Sequence, residues 1–103
     1  MNSLEVVVSL WLHPDKQIEF EAYEVKAVRI MRSYGGVLHK SVRINANQPQ
    51  TEAPPFEIYV LSFPSLESFN SYRADPQLVA LASERETAIS RTEVLLGKVA
   101  PEY

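Results

Sequence analysis

The chain has 103 residues, 46% of them apolar and 22% charged, with a formal net charge of −3 and no cysteine. That length suits one small domain and is too short for two, so residues 1–103 are read as a single unit. The acidic balance argues against a nucleic-acid partner, and without cysteine there is no disulfide, thiolate nucleophile or iron–sulfur site.

The first element is "LEVVVSLWLHP", Leu4 to Pro14. Leu4, Val6, Val8, Leu10 and Leu12 alternate onto one apolar face, as a strand packed on a core requires. The other face carries Glu5, Val7, Ser9, Trp11 and His13, and a tryptophan is out of place on a wet surface. The apolar run is too short for a signal peptide or a membrane span and is preceded by no Lys or Arg. A cytoplasmic protein without a membrane partner is therefore the default.

His13-Pro14-Asp15 stops the strand, and Asp15 is the expected N-cap of a helix. To Tyr34 the apolar residues Phe20, Tyr23, Ala27, Ile30, Met31 and Tyr34 recur at three- and four-residue steps, and Gly35-Gly36 ends the helix. Lys26, Arg29 and Arg32 lie close together here, but Glu19, Glu21 and Glu24 share the helix, so this is a solvated face rather than a phosphate track. "VLHKSVRIN" alternates again, with Leu38, Val42 and Ile44 on one side, Lys40 the misfit among them, and His39, Ser41 and Arg43 on the other.

"ANQPQTEAPP" is polar, proline-rich and too long for a tight hairpin, so it reads as a loop. "FEIYVLSF" is the third strand, expected to put Phe56, Ile58 and Val60 on the core face and Glu57, Tyr59, Leu61 and Phe63 on the other. "PSLESFNSYRADP" opens a helix with Ser65 as N-cap and Glu67 in the first turn. Asp75-Pro76 is a second cap with proline at the first helical position, and the helical pattern runs on to about Ser90. "TEVLLGKV" is a last short strand.

The order β-α-β-β-α-β with right-handed crossovers gives one antiparallel sheet, strand order 4-1-3-2, with both helices on one face. This is the ferredoxin-like arrangement, an α+β fold. The even-numbered strand residues are expected to face the helices. The opposite face then carries Val7, Trp11, Tyr59, Leu61, Phe63 and Leu95 with nothing to cover it, which explains the tryptophan if two sheets pair face to face in a homodimer. The bland alternative is a sheet face left half in water.

"DKQIEFEAYEVKAVRIMRSYGG" and "FEIYVLSFPSLESFNSYRADPQLVALASERETAI" together resemble the small bacterial proteins grouped as domain of unknown function 1330. Tyr34-Gly35-Gly36 and Phe63-Pro64-Ser65-Leu66-Glu67 are the most specific pieces, and the Arg73-Ala74-Asp75-Pro76 break is shared in kind. The resemblance runs from about Leu4 to Gly97. It implies membership of the dimeric α/β-barrel superfamily, which includes the antibiotic-biosynthesis monooxygenases, and hence a homodimer. It implies no activity. The Asn47–Pro54 loop is longer than the connection expected of that group.

Two places for chemistry follow. If Arg43 pairs with Glu57 and Trp11 lies beside Tyr59, then His13 sits beside Glu57. A His13–Glu57–Arg43 row would cross three strands next to Trp11 and Tyr59. Glu57 would raise the histidine pKa, and the aromatic rings could hold a small planar ligand. The bland counterpart is an ion-paired rim around a dimer contact. The second place lies between helices and sheet, where Tyr23, Tyr34, Phe69, Tyr72 and Arg85 could line a pocket, although aromatics at helical spacing are more often core. His13 and His39 fall on different strands, so no metal is expected. No glycine-rich phosphate loop, Ser-His-Asp order or paired-carboxylate motif is present, and no cofactor is expected. Two functions stay open: a homodimeric module that binds at most a small ligand, or a cofactor-independent monooxygenase or isomerase acting on a small aromatic or polyketide-like substrate.

Overall fold

The computed structural model describes residues 3–45 and 52–103. The expected loop at 46–55 therefore lies largely outside the described residues. The elements are β1 (Leu4–Leu12), α1 (Gln17–Arg32), β2 (Val37–Arg43), β3 (Glu57–Phe63), α2 (Leu66–Arg73), α3 (Pro76–Val79), α4 (Ala82–Ala88) and β4 (Ile89–Gly97). The sheet is antiparallel in the order β2-β3-β1-β4, which is 4-1-3-2 read from the other edge. Helices cover one face of it. The fold is ferredoxin-like.

The helix stops are chemically plain. Gly35 takes a φ of 75°, and the Gly36 N–H returns to the Met31 carbonyl at 3.1 Å. Ser65 accepts the Ser68 N–H at 3.1 Å, and Asp75 accepts the Gln77 N–H at 2.7 Å ahead of Pro76. Asp15 does not cap α1. It sits in the turn with a φ of 61°, and Lys16 occupies the cap position without a side-chain bond. The pattern expected to be helical to Ser90 breaks between α3 and α4, and β4 already begins at Ile89.

One buried cluster joins sheet and helices: Val6 and Leu10 from β1, Tyr59, Leu61 and Phe63 from β3, Phe20, Tyr23, Ala27 and Met31 from α1, and Phe69 from α2. Large side chains as fully buried as Phe20, Phe63 and Met31 contribute roughly 1.5–3 kcal/mol each.

This cluster corrects the expected phase of the third strand. Val6 pairs with Leu61, Val8 with Tyr59 and Leu10 with Glu57, so the odd-numbered residues of β3 face the helices. Tyr59, Leu61 and Phe63 are therefore core, and Ile58 and Val60 face away. Both faces of β3 are apolar, so alternation did not distinguish them, and Glu57 made the odd face look wet. The bulkier set went inside and took Glu57 with it, to 5% exposure.

The misfit on β2 has a related cause. The register shifts between Leu38, opposite Leu61, and Lys40, opposite Val60, which leaves His39 as a bulge. Beyond the bulge the parity reverses. Lys40 and Val42 face away from the helices, and Ser41 and Arg43 face toward them. The uncovered sheet face is thus made of Val7, Ser9, Trp11, Val42, Ile58, Val60 and Leu95 rather than the expected set.

Candidate functional site

The expected His13–Glu57–Arg43 row does not form. Leu10, not His13, stands opposite Glu57, and Trp11 pairs with Arg91 on β4 rather than lying beside Tyr59. His13 lies exposed beyond β1, its backbone N–H bonded to the Ala88 carbonyl at 2.9 Å. The Trp11 indole N–H donates to the Ala53 carbonyl at 3.1 Å, and the Arg91 guanidinium lies 4.4 Å above its ring. His39 shares a hydrogen bond with Ser62 Oγ at 2.6 Å. Among the described residues, no group of His, Asp and Glu is gathered that could hold a metal ion. No helix there is long and apolar enough to cross a membrane.

The other half of the row is real. Arg43 reaches Glu57 Oε1 with both Nε (3.1 Å) and Nη2 (2.8 Å), and Nη2 also meets Glu21 on α1 at 3.3 Å. The Arg43 guanidinium stacks 4.7 Å from the Phe56 ring. Glu57 in turn leads inward, because the Tyr59 hydroxyl interacts with the carboxylates of both Glu57 and Glu24.

Tyr59 opens onto a cavity of about 490 Å³ between the helices and the sheet. Its floor is Val8 and Leu10 of β1, Tyr59 and Leu61 of β3, and Ile89, Thr92 and Val94 of β4. Its roof is Tyr23, Glu24 and Ala27 of α1, Phe69 and Tyr72 of α2, and Arg85 of α4. Ala27 and Ala82 are small where larger residues would close the space. Val79 and Val94, both well exposed, mark the mouth.

Tyr23, Phe69, Tyr72 and Arg85 thus stand where the sequence put them, in one pocket. Tyr34 does not: its hydroxyl donates to Asp75 at 2.5 Å and ties the end of α1 to the cap of α3. Lys26 meets Glu84 at 3.0 Å outside the cavity, holding α1 against α4.

Glu24 is the residue that sequence reasoning missed. It stands four residues after Phe20 and three before Ala27, half-buried at the edge of the buried stripe of α1. A charge next to the apolar positions of the helix was the available signal, and counting Glu24 among the charges of a solvated face hid it. Burial pushes its carboxyl up from 4.5 to about 7, with Glu57 adding to the rise, while the Tyr59 hydroxyl and Arg85 oppose it. Burial, with the charge of Glu24 nearby, pushes the Tyr59 and Tyr72 hydroxyls far above their ordinary range, so both stay protonated. Arg85 donates to Thr92 Oγ1 on β4. The cavity therefore offers apolar and aromatic walls, a fixed cation, tyrosine donors and a carboxyl that can hold or release a proton near neutrality.

No protein-family model matches the chain, and no curated protein matches it. Solved structures do. A protein of unknown function from Rhodopseudomonas palustris is 16% identical at a TM-score of 0.80, covering 98% of this chain and 85% of that one. A dabb family protein with a ferredoxin-like fold from Mesorhizobium loti is 18% identical at a TM-score of 0.64, with 100% of each chain covered. SnoaB, a cofactor-independent oxygenase from Streptomyces nogalater, is 12% identical at a TM-score of 0.72, covering 99% and 97%. At these identities the shared property is the fold.

Proposed function

We propose that this chain is a small-ligand binding module, working as a homodimer through its uncovered sheet face, with the helix–sheet cavity as its binding site. The cavity carries this reading. At about 490 Å³ it falls within the roughly 300–1,000 Å³ of small-molecule sites, which are mostly apolar with a few convergent polar groups. Tyr23, Phe69 and Tyr72 suit a planar, partly aromatic molecule, and Arg85 and Glu24 supply two polar points. Trp11 and His13 lie outside this site, and Arg43 and Glu57 reach it only through Tyr59. The Tyr34-Gly35-Gly36 and Phe63-Pro64-Ser65-Leu66-Glu67 pieces support placing the chain with the domain of unknown function 1330 group.

A second reading uses the same cavity: a cofactor-independent oxygenase or isomerase acting on a small aromatic or polyketide-like substrate. The fold shared with the Streptomyces nogalater oxygenase supports it, as does the near-neutral carboxyl of Glu24. Fold alone does not assign a reaction.

Titration with 2-naphthol, followed by amide NMR shifts, tests the binding site. The largest shifts are expected at Tyr23, Phe69, Tyr72 and Arg85. Ala82→Phe, at an exposed position lining the mouth, should weaken binding by at least about tenfold. Shifts confined to the outer sheet face would remove the cavity from consideration.

A further inference from the structure

Two groups of opposite charge type converge on the cavity from different helices, Glu24 from α1 and Arg85 from α4. Among the described residues the Arg85 guanidinium donates to Thr92 rather than to a carboxylate. It is held by the sheet and by the Tyr23 hydroxyl, and with five N–H groups a guanidinium can still meet an oxygen in the cavity. A guanidinium cannot give up its proton at ordinary pH, so its contribution is to hold an acceptor or a negative oxygen. A carboxylate beside an apolar wall is the complementary group, since it can take a proton from a carbon held against it. The rings of Tyr23, Phe69 and Tyr72 lie around the same space and would keep a flat substrate in place.

We propose that this constellation makes the cavity a site of proton transfer next to a carbonyl, enolising a small ketone whose α-carbon bears an aryl ring, with Glu24 as base and Arg85 as holder of the enolate oxygen. The inference rests on the cavity binding a small molecule, as argued above. In the step, the C–H bond α to the carbonyl breaks and its proton forms an O–H bond on Glu24. The electron pair of that bond becomes the new C=C, and the carbonyl π pair moves onto oxygen, opposite Arg85. Returning the proton to the same carbon, or to one conjugated with it, completes a tautomerisation. No oxidant, reductant or co-reactant enters.

Tyr59 is a positioning residue. Its hydroxyl lies between Glu24 and Glu57, and Glu57 is anchored by Arg43. The groups acting on Glu24 are Tyr59 and Glu57 from β3 and Arg85 from α4, and Glu24 in turn acts on Tyr72 of α2 and Tyr23 of its own helix. Their balance leaves the carboxyl titrating close to neutral pH, where a general base is most effective.

The probe is 2-tetralone, a flat bicyclic ketone with acidic α-hydrogens. Its deuterium uptake at C1 in D₂O is followed by proton NMR, beside its binding affinity from protein amide shifts. The intact protein is expected to accelerate uptake at least about a hundredfold over buffer, the usual scale of a positioned base. The rate should rise through a midpoint near 7, following Glu24. Glu24→Gln should lose the acceleration, and Tyr59→Phe should move the midpoint. The pH profile of the unaltered protein remains decisive even if a variant folds poorly. Binding without acceleration overturns the proton-transfer inference and leaves the binding reading standing, as does equal acceleration in Glu24→Gln. Absence of binding overturns both.

Discussion

Glu24 bears on stability as well as chemistry. Its carboxyl is raised from 4.5 to about 7, so the folded protein holds that proton more tightly than the unfolded chain does. The resulting stabilisation is complete below about pH 4.5 and is lost as the pH climbs through 7. A shift of this size corresponds to about 3 kcal/mol above neutrality. Glu24→Gln, shaped like the protonated form and neutral at every pH, should match the parent protein at low pH. It should exceed the parent by about 1–3 kcal/mol at about pH 8.5. Urea unfolding at both pH values checks this, and a gap of the same size at each would mean that the carboxylate is not desolvated. Glu57 is the contrasting case, buried but paired. Arg43 shields it with two hydrogen bonds. Arg43→Met should therefore cost about 2–4 kcal/mol in the same measurement, because the buried partner is left behind. Arg43→Lys, which cannot form the same fork, should recover only part of that.

At the scale of elements, the end of α1 is the tightest joint. Gly35 has a positive φ, and a Cβ there would lie 2.7 Å from Pro64 Cγ; at Gly36 it would meet the Met31 side chain and lie 2.9 Å from Phe63 Cε1. Gly36→Ala should destabilise by about 1–3 kcal/mol through overpacking, lowering the thermal midpoint by several degrees. Gly97→Ala, with nothing within 4 Å, should leave the midpoint almost unchanged and serves as the control. These glycines were legible as a helix stop because their chemistry is local. Ser65 and Asp75 were legible as caps for the same reason. The strand order was legible because β1 shows a strong contrast between its faces and the crossover rule supplies the rest. What failed was nonlocal. The phase of β3 depends on which of two apolar faces packs better against α1 and α2, and the parity of β2 depends on a bulge at His39 that only pairing with β3 defines. The site inherits those errors. The reversal of β3's faces removes Tyr59 from the side of Trp11 and delivers it to the cavity beside Glu24. Four of the five residues expected to line a pocket between helices and sheet do so, since helical spacing alone places them. Tyr34 is lost to a hydrogen bond with Asp75, a contact between distant segments.

For the whole molecule, the corrected faces make the uncovered side of the sheet more continuous than expected. Val7 of β1 is flanked by Val60 of β3 and Leu95 of β4, and Ile58 of β3 by Val42 of β2. These form one apolar band across all four strands, with Val42 42% and Leu95 67% exposed in the single chain. Trp11 closes one end of it, fixed by Ala53 and Arg91. A band of this kind marks an interaction surface, and a second copy presents the same apolar band to it. Light scattering at micromolar concentration should accordingly report about twice the 11.7 kDa chain mass. Val42 and Leu95 already meet solvent, so Val42→Glu with Leu95→Glu should cost the single chain little. In a face-to-face dimer the same change buries unpaired like charges, which is strongly unfavourable. The double variant should therefore run at the chain mass with its far-ultraviolet circular dichroism unchanged. It should also still bind 2-naphthol, because the cavity lies on the opposite face of the sheet with its mouth near Val79 and Val94. A parent protein that runs as a monomer would refute the dimer. A double variant that stays dimeric would move the interface to another surface, and one that loses ligand binding would show that the pocket needs the second copy.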